Sequence, residues 1–115
     1  LMYIAFEAPH DPRVAADNYR AGYDASSYPL PGNFLPEHPF DNGELRVRDE
    51  QLASWPRTPE EIRRHLVDYA AVITGLDHHI GRLMAAIESR GDQKNTVILF
   101  ASDNGLAIGS HGLVS

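Results

Sequence analysis

The chain of 115 residues has the length of one domain, and 43% hydrophobic with 23% charged residues is an ordinary globular composition. The net charge of −6 argues against binding to the phosphate backbone of nucleic acid, since proteins that do so carry a basic surface. No run approaches the roughly 20 apolar residues of a membrane span. The absence of cysteine excludes disulfides, thiolate metal sites and a cysteine nucleophile within these residues.

The two ends of the chain suggest a piece of a larger protein. The chain begins with leucine rather than methionine and enters an apolar run at once, and it stops at "HGLVS" within a predicted loop. Domains usually begin and end in exposed linkers. We therefore expect residues 1–115 to be part of a larger domain.

The first apolar run, "LMYIAF" at residues 1–6, precedes "EAPHDP". Because it is apolar on both faces, we predict a strand covered on both sides, as in a parallel sheet. Residues 12–56 then show no sustained hydrophobic period, and only short helical turns are predicted near 15–20 and 48–53. A loop of this length is usually functional or packed on a neighbour.

A long amphipathic helix is predicted next. Thr58 is the expected N-cap, Pro59 suits the first helical position and Glu61 would complete a capping box. A terminating glycine follows at Gly91. The apolar positions alternate in steps of four and three along one helical face: Ile62, Leu66, Tyr69, Ile73, Leu76, Ile80, Leu83 and Ile87. Burial against a sheet fits better than a coiled coil, because two glycines interrupt the helix.

The run "NTVILFAS" at residues 95–102 is β-branched and aromatic, so we predict a second strand. The order strand, long loop, helix, strand describes a βαβ-type unit of an α/β fold, with the two strands parallel and near each other. Ligands gather at the carboxyl ends of strands in open α/β sheets. "APH" follows the first predicted strand and "DNG" follows the second, so both motifs are expected at one edge.

Asp103 and Asn104 are the candidate metal ligands. A carboxylate and an amide carbonyl are hard oxygen donors, which suit calcium or magnesium better than zinc. Gly105 then allows the chain to turn sharply. A plain turn explains the same tripeptide, because these residues favour turns through local hydrogen bonds.

Two histidines are candidates for contact with a substrate. His10 lies between two prolines that stiffen its backbone, and its imidazole could bind an anion or protonate a leaving group. A loop histidine satisfied by a carbonyl is the alternative. His111, in "GSHGL", lies between glycines that allow close approach, although an exposed turn explains it equally well. Neighbouring His78 and His79 point about 100 degrees apart on the helix and cannot share a metal.

Taken in order, the motifs resemble the sulfatase family of the alkaline-phosphatase-like superfamily. The segments "YIAFEAPHDPR", "DYAAVITGLDHHIGRLMAAIESRG" and "NTVILFASDNGLAIGSHGL" look like a sulfatase strand with its substrate-facing histidine, the helix after it, and the strand with its metal loop. The middle segment, "PGNFLPEHPFDNGELRVRDEQLASWPRTPEEIR", looks like bacterial members. The resemblance implies that residues 1–115 are part of a sulfatase catalytic domain, within an alkaline-phosphatase-like sheet sandwich.

The resemblance also implies roles for four residues. Asp103 and Asn104 match the pair that binds the divalent cation, usually calcium, with magnesium as the alternative. His10 matches the catalytic histidine that contacts the sulfate ester, and His111 matches a position near the substrate. The family hydrolyses sulfate esters with a formylglycine made from Cys or Ser in a C/S-x-P/A-x-R motif.

Several parts of the family pattern lie outside this sequence. It contains no C/S-x-P/A-x-R motif, no early aspartate pair, and no lysine just after "HGL". Calcium takes about six to eight oxygen ligands, so two are insufficient. We expect the isolated segment to be inactive. Its uncovered sheet edges and apolar helix surface would favour self-association.

Two alternatives stay open at this stage. One is a phosphate or phosphonate ester hydrolase of the same superfamily, since these esters share tetrahedral anionic chemistry with sulfate. The other is a non-catalytic α/β module that binds a partner through its long loop. A small-molecule or carbohydrate sulfate ester is the expected partner, with its identity and the compartment left open, although many bacterial sulfatases are exported.

Overall fold

The computed structural model describes all 115 residues, and its regular structure is helical. Helix α1 spans Asp17–Arg20, α2 spans Pro59–Ser89, and two 3-10 turns span Asp49–Leu52 and Gln93–Asn95. The short helical turns predicted within the long loop are therefore confirmed. None of these helices combines the length and the apolar character that crossing a membrane requires.

The chain divides into two compact units. The first contains Leu1–Gly22 with Asp68–Asp103, and the second contains Tyr23–Val67 with Asn104–Ser115. Helix α2 contributes its first nine residues to the second unit and the remainder to the first. Along the sequence, one boundary between the units therefore falls between the two predicted metal ligands, Asp103 and Asn104.

At the start of α2, one of the two hydrogen bonds of the predicted capping box is formed. The Glu61 backbone N–H donates to Thr58 Oγ1 at 3.2 Å, and the Ile62 N–H donates to the Thr58 carbonyl at 3.0 Å. The Glu61 carboxylate does not return to Thr58. It accepts the backbone N–H of Ser54 at 3.2 Å and the Ser54 hydroxyl at 2.8 Å. Tertiary contact with the preceding loop has replaced the second half of the capping box.

The end of α2 is a Schellman motif. Gly91 has φ +72, its N–H donates to the Glu88 carbonyl at 2.9 Å, and the Asp92 N–H donates to the Ile87 carbonyl at 3.2 Å. This pair of bonds satisfies two carbonyls that have no partner within the helix. The predicted terminating glycine is confirmed.

The buried surface of α2 differs from the predicted stripe. Ile62 is fully buried, but Ile73 and Leu83, farther along the same face, are 37% and 39% exposed. In the first unit the most buried helical side chains are instead Ala71 and Val72. The predicted apolar face is fully buried only at Ile62, and farther along the helix its side chains are partly buried or, at Ile73 and Leu83, exposed.

The second unit has a small core at the start of α2. Ile62, Ala53 and Val114 are buried there. Four partly buried apolar side chains from the long loop and the helix pack against them: Leu30, Phe34, Leu52 and Leu66. The long loop is therefore packed on its own unit, as expected for a loop of such length.

The two predicted strands are not formed. Residues 1–6 and 95–102 join no sheet ladder, and the one β-bridge of the chain joins Phe34 to Ser110. Tyr3 and Leu99 in these runs are 90% and 91% exposed. A β-strand exists through hydrogen bonds to a neighbouring strand, and neither run has one in the structure. The predicted strand–loop–helix–strand sheet is therefore not confirmed.

Candidate functional site

His10 lies in the loop after the first apolar run, in the first unit. Its backbone N–H donates to the Glu7 carbonyl at 2.9 Å, and its Nδ1 lies 2.7 Å from the Asp11 carbonyl oxygen. A carbonyl only accepts, so Nδ1 carries the proton and Nε2 is the remaining nitrogen. The Asp11 carboxylate lies 3.3 Å from the same Nδ1, a distance that gives an ion pair when the ring is protonated. The carbonyl bond is the one that the loop-histidine alternative requires, and Nε2 is the nitrogen that a substrate could reach.

The loop that carries His10 borders an open pocket of about 250 Å³ within the first unit. The lining combines two carboxylates and an imidazole with apolar side chains: Glu7, Ala8, His10, Asp11, Pro12, Val14 and Val72. The His10 side chain is 58% exposed. A small polar group can therefore reach the ring from solvent.

Asp103 and Asn104 lie in an exposed loop after the second apolar run. Asn104 Nδ2 donates to the Gly105 carbonyl at 3.0 Å, and the side-chain oxygen is the atom of this amide that can act as a cation ligand. The donor set, one carboxylate and one amide oxygen, fits a hard cation such as calcium or magnesium. No group of three or more His, Cys, Asp or Glu side chains comes together in the chain to complete a site.

His111 lies in the second unit and contacts residues of the long loop. Its backbone has φ +54, and its N–H donates to the Asn33 carbonyl at 2.9 Å. Its Nε2 lies 2.9 Å from Asn33 Nδ2, and its carbonyl accepts from Nδ1 of His38 at 2.8 Å. His111 is exposed, as the turn-histidine alternative expects, but its ring and backbone are held by neighbours distant in sequence.

A buried ion pair contacts the residues that follow His111. Glu50 and Arg57 are 2% and 1% exposed, and Arg57 Nη2 lies 2.7 Å from Glu50 Oε2. The Glu50 carboxylate also accepts the backbone N–H groups of Val114, at 3.1 Å, and Ser115, at 2.9 Å, together with the Ser115 hydroxyl. The pair therefore joins the long loop to the end of the chain.

The guanidinium of Arg57 has further partners. It donates to the carbonyls of Ala53 and of Glu50, the latter at 2.8 Å, and it stacks 3.5 Å from the centre of the Trp55 ring. Burial lowers the pKa of Arg57, but arginine stays protonated at such a site. Most N–H donors of the Arg57 guanidinium are thus satisfied by protein acceptors.

The pKa of Glu50 lies below its ordinary value of 4.5. Burial alone would raise it, because an ionised carboxylate loses hydration. The hydrogen bonds from Ser115 and Val114 and the charge of Arg57 act in the opposite direction and prevail together. Glu50 is therefore ionised at neutral pH.

Two further histidines lie on α2. His78 and His79 are exposed, with His78 beside the Tyr19 ring and His79 Nδ1 3.2 Å from Arg82 Nη1. No local pattern marks Asn33, His38, Glu50 or Arg57 as neighbours of the His111 segment, because their partners are 55 to 78 positions away.

A family model described as Sulfatase matches residues 1–114. An endo-4-O-sulfatase of Bacteroides thetaiotaomicron is 46% identical over 104 residues, which cover 90% of this chain and 18% of that protein. An arylsulfatase of Klebsiella aerogenes is 32% identical over 118 residues, covering 90% of this chain and 25% of that protein.

A third relative has a broader description. The multifunctional alkaline phosphatase superfamily protein PehA of Trinickia caryophylli is 29% identical over 126 residues, covering 98% of this chain and 24% of that protein. The chain thus spans about a quarter, or less, of the length of these relatives. No solved structure matches. The family match implies an alkaline-phosphatase-like α/β fold, so the predicted α/β class is confirmed at that level.

Proposed function

The chain belongs to the sulfatase family, and from this membership we propose that the full-length protein is a metal-dependent hydrolase of sulfate esters. Residues 1–115 would be the part of its catalytic domain that carries two substrate-contacting histidines, His10 and His111, and two metal ligands. The observation that carries the proposal is a family match over residues 1–114, which include His10, Asp103 and Asn104. Small-molecule or carbohydrate sulfate esters are the substrate class.

Asp103 and Asn104 would hold the divalent cation, calcium by preference and magnesium as the alternative. Their side-chain oxygens are hard donors, and the Asn104 amide is oriented by its bond to Gly105. The remaining ligands and the formylglycine would come from parts of the protein outside this segment. When bound, the cation would act as a Lewis acid on the sulfate oxygens.

His10 would act as the general acid that protonates the leaving group. In the imidazolium form its Nδ1–H stays with the Asp11 carbonyl, and Nε2–H becomes a donor towards the pocket. When the ester bond breaks, the electron pair remains on the departing oxygen, and the proton from Nε2 neutralises it. The ring returns to the neutral form with Nδ1 still protonated.

We further propose that residues 1–6 and 95–102 are strands in the full-length protein. Their apolar side chains are exposed on both faces in this structure, as in Val97, which is 87% exposed. Strands of a parallel sheet are covered on both faces and need neighbours on both edges. The same exposed surface would promote self-association of the isolated segment.

A second candidate is hydrolysis of phosphate or phosphonate esters. The observation that favours it is the similarity to PehA, over 98% of the chain, because that relative is described as a multifunctional alkaline phosphatase superfamily protein. Tetrahedral anionic esters of sulfur and phosphorus present similar oxygens to a cation and an imidazole. Turnover of matched aryl sulfate and aryl phosphate esters by the full-length protein separates the two candidates.

The proposal is tested with full-length Asp103→Ala and His10→Ala proteins. We expect kcat/KM for an aryl sulfate to fall by about 10² to 10³ for Asp103→Ala, the usual loss of one electrostatic contact. His10→Ala should cost about 10² to 10⁴, the usual contribution of a general acid. Calcium binding by calorimetry should weaken only in Asp103→Ala.

Matched controls are available on α2. Asp77→Ala and His79→Ala remove exposed side chains of the same types, and neither should change turnover or calcium binding. Normal turnover in a protein that carries both Asp103→Ala and His10→Ala would refute the assignment. That result would favour the non-catalytic binding module instead.

A further inference from the structure

Two segments of the second unit run antiparallel beside each other. Phe34 and Ser110 form a β-bridge, and the Leu35 N–H lies 3.4 Å from the Gly109 carbonyl. The His111 N–H donates to the Asn33 carbonyl at 2.9 Å, which extends the contact to the next residue. His111 is therefore carried by a short two-stranded ribbon made with the long loop.

The backbone on the other side of His111 is fixed as well. Nδ1 of His38 donates to the His111 carbonyl at 2.8 Å. Gly112 has φ +78, and a Cβ at that position would lie 2.5 Å from the carbonyl carbon of Glu37 and the nitrogen of His38. Only glycine permits such an approach between the two backbones. Both peptide groups of His111 are thus held in place.

The His111 ring contacts the side chain of Asn33. Asn33 Nδ2 lies 2.9 Å from His111 Nε2. A primary amide nitrogen only donates, so Nε2 accepts this bond and the proton of the neutral ring lies on Nδ1. Asn33 contacts His111 through both its backbone and its side chain.

We propose that Asn33 is a positioning residue that holds His111 as the tautomer protonated on Nδ1, so that this N–H binds an oxygen of the anionic substrate. The substrate part of this inference rests on the proposed function. A neutral imidazole has one donor nitrogen and one acceptor nitrogen. An acceptor turned towards an anionic ester would repel it, so the nitrogen fixed by Asn33 decides whether His111 favours or opposes binding.

The first test leaves Asn33 unchanged. Imidazole ¹⁵N NMR of histidine-labelled full-length protein, with His111→Gln to assign the signal, reports which ring nitrogen carries the proton. We expect a pyrrole-type signal from Nδ1 and a pyridine-type signal from Nε2 of His111. The opposite pattern in the wild-type protein would overturn the inference.

The second test is Asn33→Asp, which replaces the donor by an acceptor of the same shape. The carboxylate should draw the proton to Nε2 and reverse the tautomer. Because a contact made equally in the ground and transition states affects only binding, KM should rise about tenfold while kcat stays within about twofold. Asn33→Ala, which keeps the backbone bond, should give a mixture of tautomers and a smaller rise in KM.

The control is Asn42→Asp in an exposed turn of the same loop, where the side-chain oxygen accepts the Glu44 N–H. It should leave KM and the His111 signals unchanged. An unchanged tautomer and KM in folded Asn33→Asp and Asn33→Ala proteins would also overturn the inference. If Asn33→Asp does not fold, the wild-type spectrum and Asn33→Ala decide.

The two proposals fail in distinguishable ways. Absence of sulfate ester turnover in the wild-type protein would refute the proposed function. The tautomer of His111 is measured without substrate, so it tests the role of Asn33 in either case. A normal KM in His111→Gln, despite the expected tautomer in the wild type, would overturn the substrate contact.

Discussion

Glu50→Gln removes a buried negative charge while it keeps the size and shape of the side chain. The wild-type carboxylate faces Arg57 Nη2 at 2.7 Å and accepts the N–H groups of Val114 and Ser115. Glutamine can accept through only one oxygen, and its NH₂ group would face either the Arg57 guanidinium or the backbone N–H of Ser115, both of which only donate. The substitution therefore leaves Arg57 without its counter-charge.

The expected magnitude follows from the partners that Arg57 keeps. Removal of one partner from a buried ion pair costs about 3–5 kcal/mol. The guanidinium retains the carbonyls of Glu50 and Ala53 and the face of Trp55. The lower end of the range is thus expected, a loss of about 3 kcal/mol, which is about a hundredfold in an equilibrium constant.

The assay is hydrogen exchange at the amides of Val114 and Ser115 in the full-length protein. Both N–H groups donate to Glu50, so they report directly on its removal. Their exchange should accelerate about a hundredfold in Glu50→Gln. Asp92→Asn is the matched control, because Asp92 forms an exposed ion pair with Arg90 at 2.8 Å. It should change stability by less than about 1 kcal/mol.

The pH dependence gives an independent check. Because the folded state lowers the pKa of Glu50, the folded state binds fewer protons than the unfolded state in acid. Its contribution is present above the ordinary value of 4.5 and is lost as pH falls through the lowered folded value. The wild type should converge on Glu50→Gln below that range. Equal hydrogen-exchange protection of Val114 and Ser115 in the wild type and Glu50→Gln at neutral pH would contradict the predicted loss of stability.

Two further predictions concern glycines. A Cβ at Gly81 meets nothing within 4 Å, so Gly81→Ala should raise the free energy of unfolding by about 0.5–1 kcal/mol. Gly75→Ala should raise the free energy of unfolding by less, because its Cβ would lie 3.1 Å from the Tyr19 ring. Thermal unfolding of both variants measures the difference, and a loss at Gly81 would contradict it. Gly112→Ala should cost at least about 2 kcal/mol, because φ is +78 and the Cβ would meet backbone at 2.5 Å; an unchanged unfolding midpoint would refute this.

Local sequence patterns predicted local structure well. The limits of α2 depend on Thr58 and Gly91, which act on backbone groups within one turn, and both are confirmed. The short helical turns in the long loop are equally local. One wrong detail at the start of this helix is the carboxylate of Glu61, which bonds to Ser54 because the preceding loop packs against the helix.

Only part of the candidate site could be predicted from the sequence. The chemistry of His10, Asp103 and Asn104, together with their position after apolar runs, suits a substrate and a hard cation, and their roles stay predictions. No comparable local pattern marks Asn33. Its link to His111 joins residues 78 positions apart, and an asparagine beside a proline and a glycine reads locally as a turn.

Motifs, helix caps and helical periodicity depend on neighbouring residues, so the sequence alone identifies the family, the long helix with its two ends, and the residue types available for chemistry. Tertiary structure alone decided which loop residues hold His111, that Glu50 and Arg57 form a buried pair, and which parts of the apolar helical face are covered. Such contacts depend on the path of the chain between distant residues. The same reason explains the missing strands, since a strand is completed by a neighbour that its own sequence does not specify.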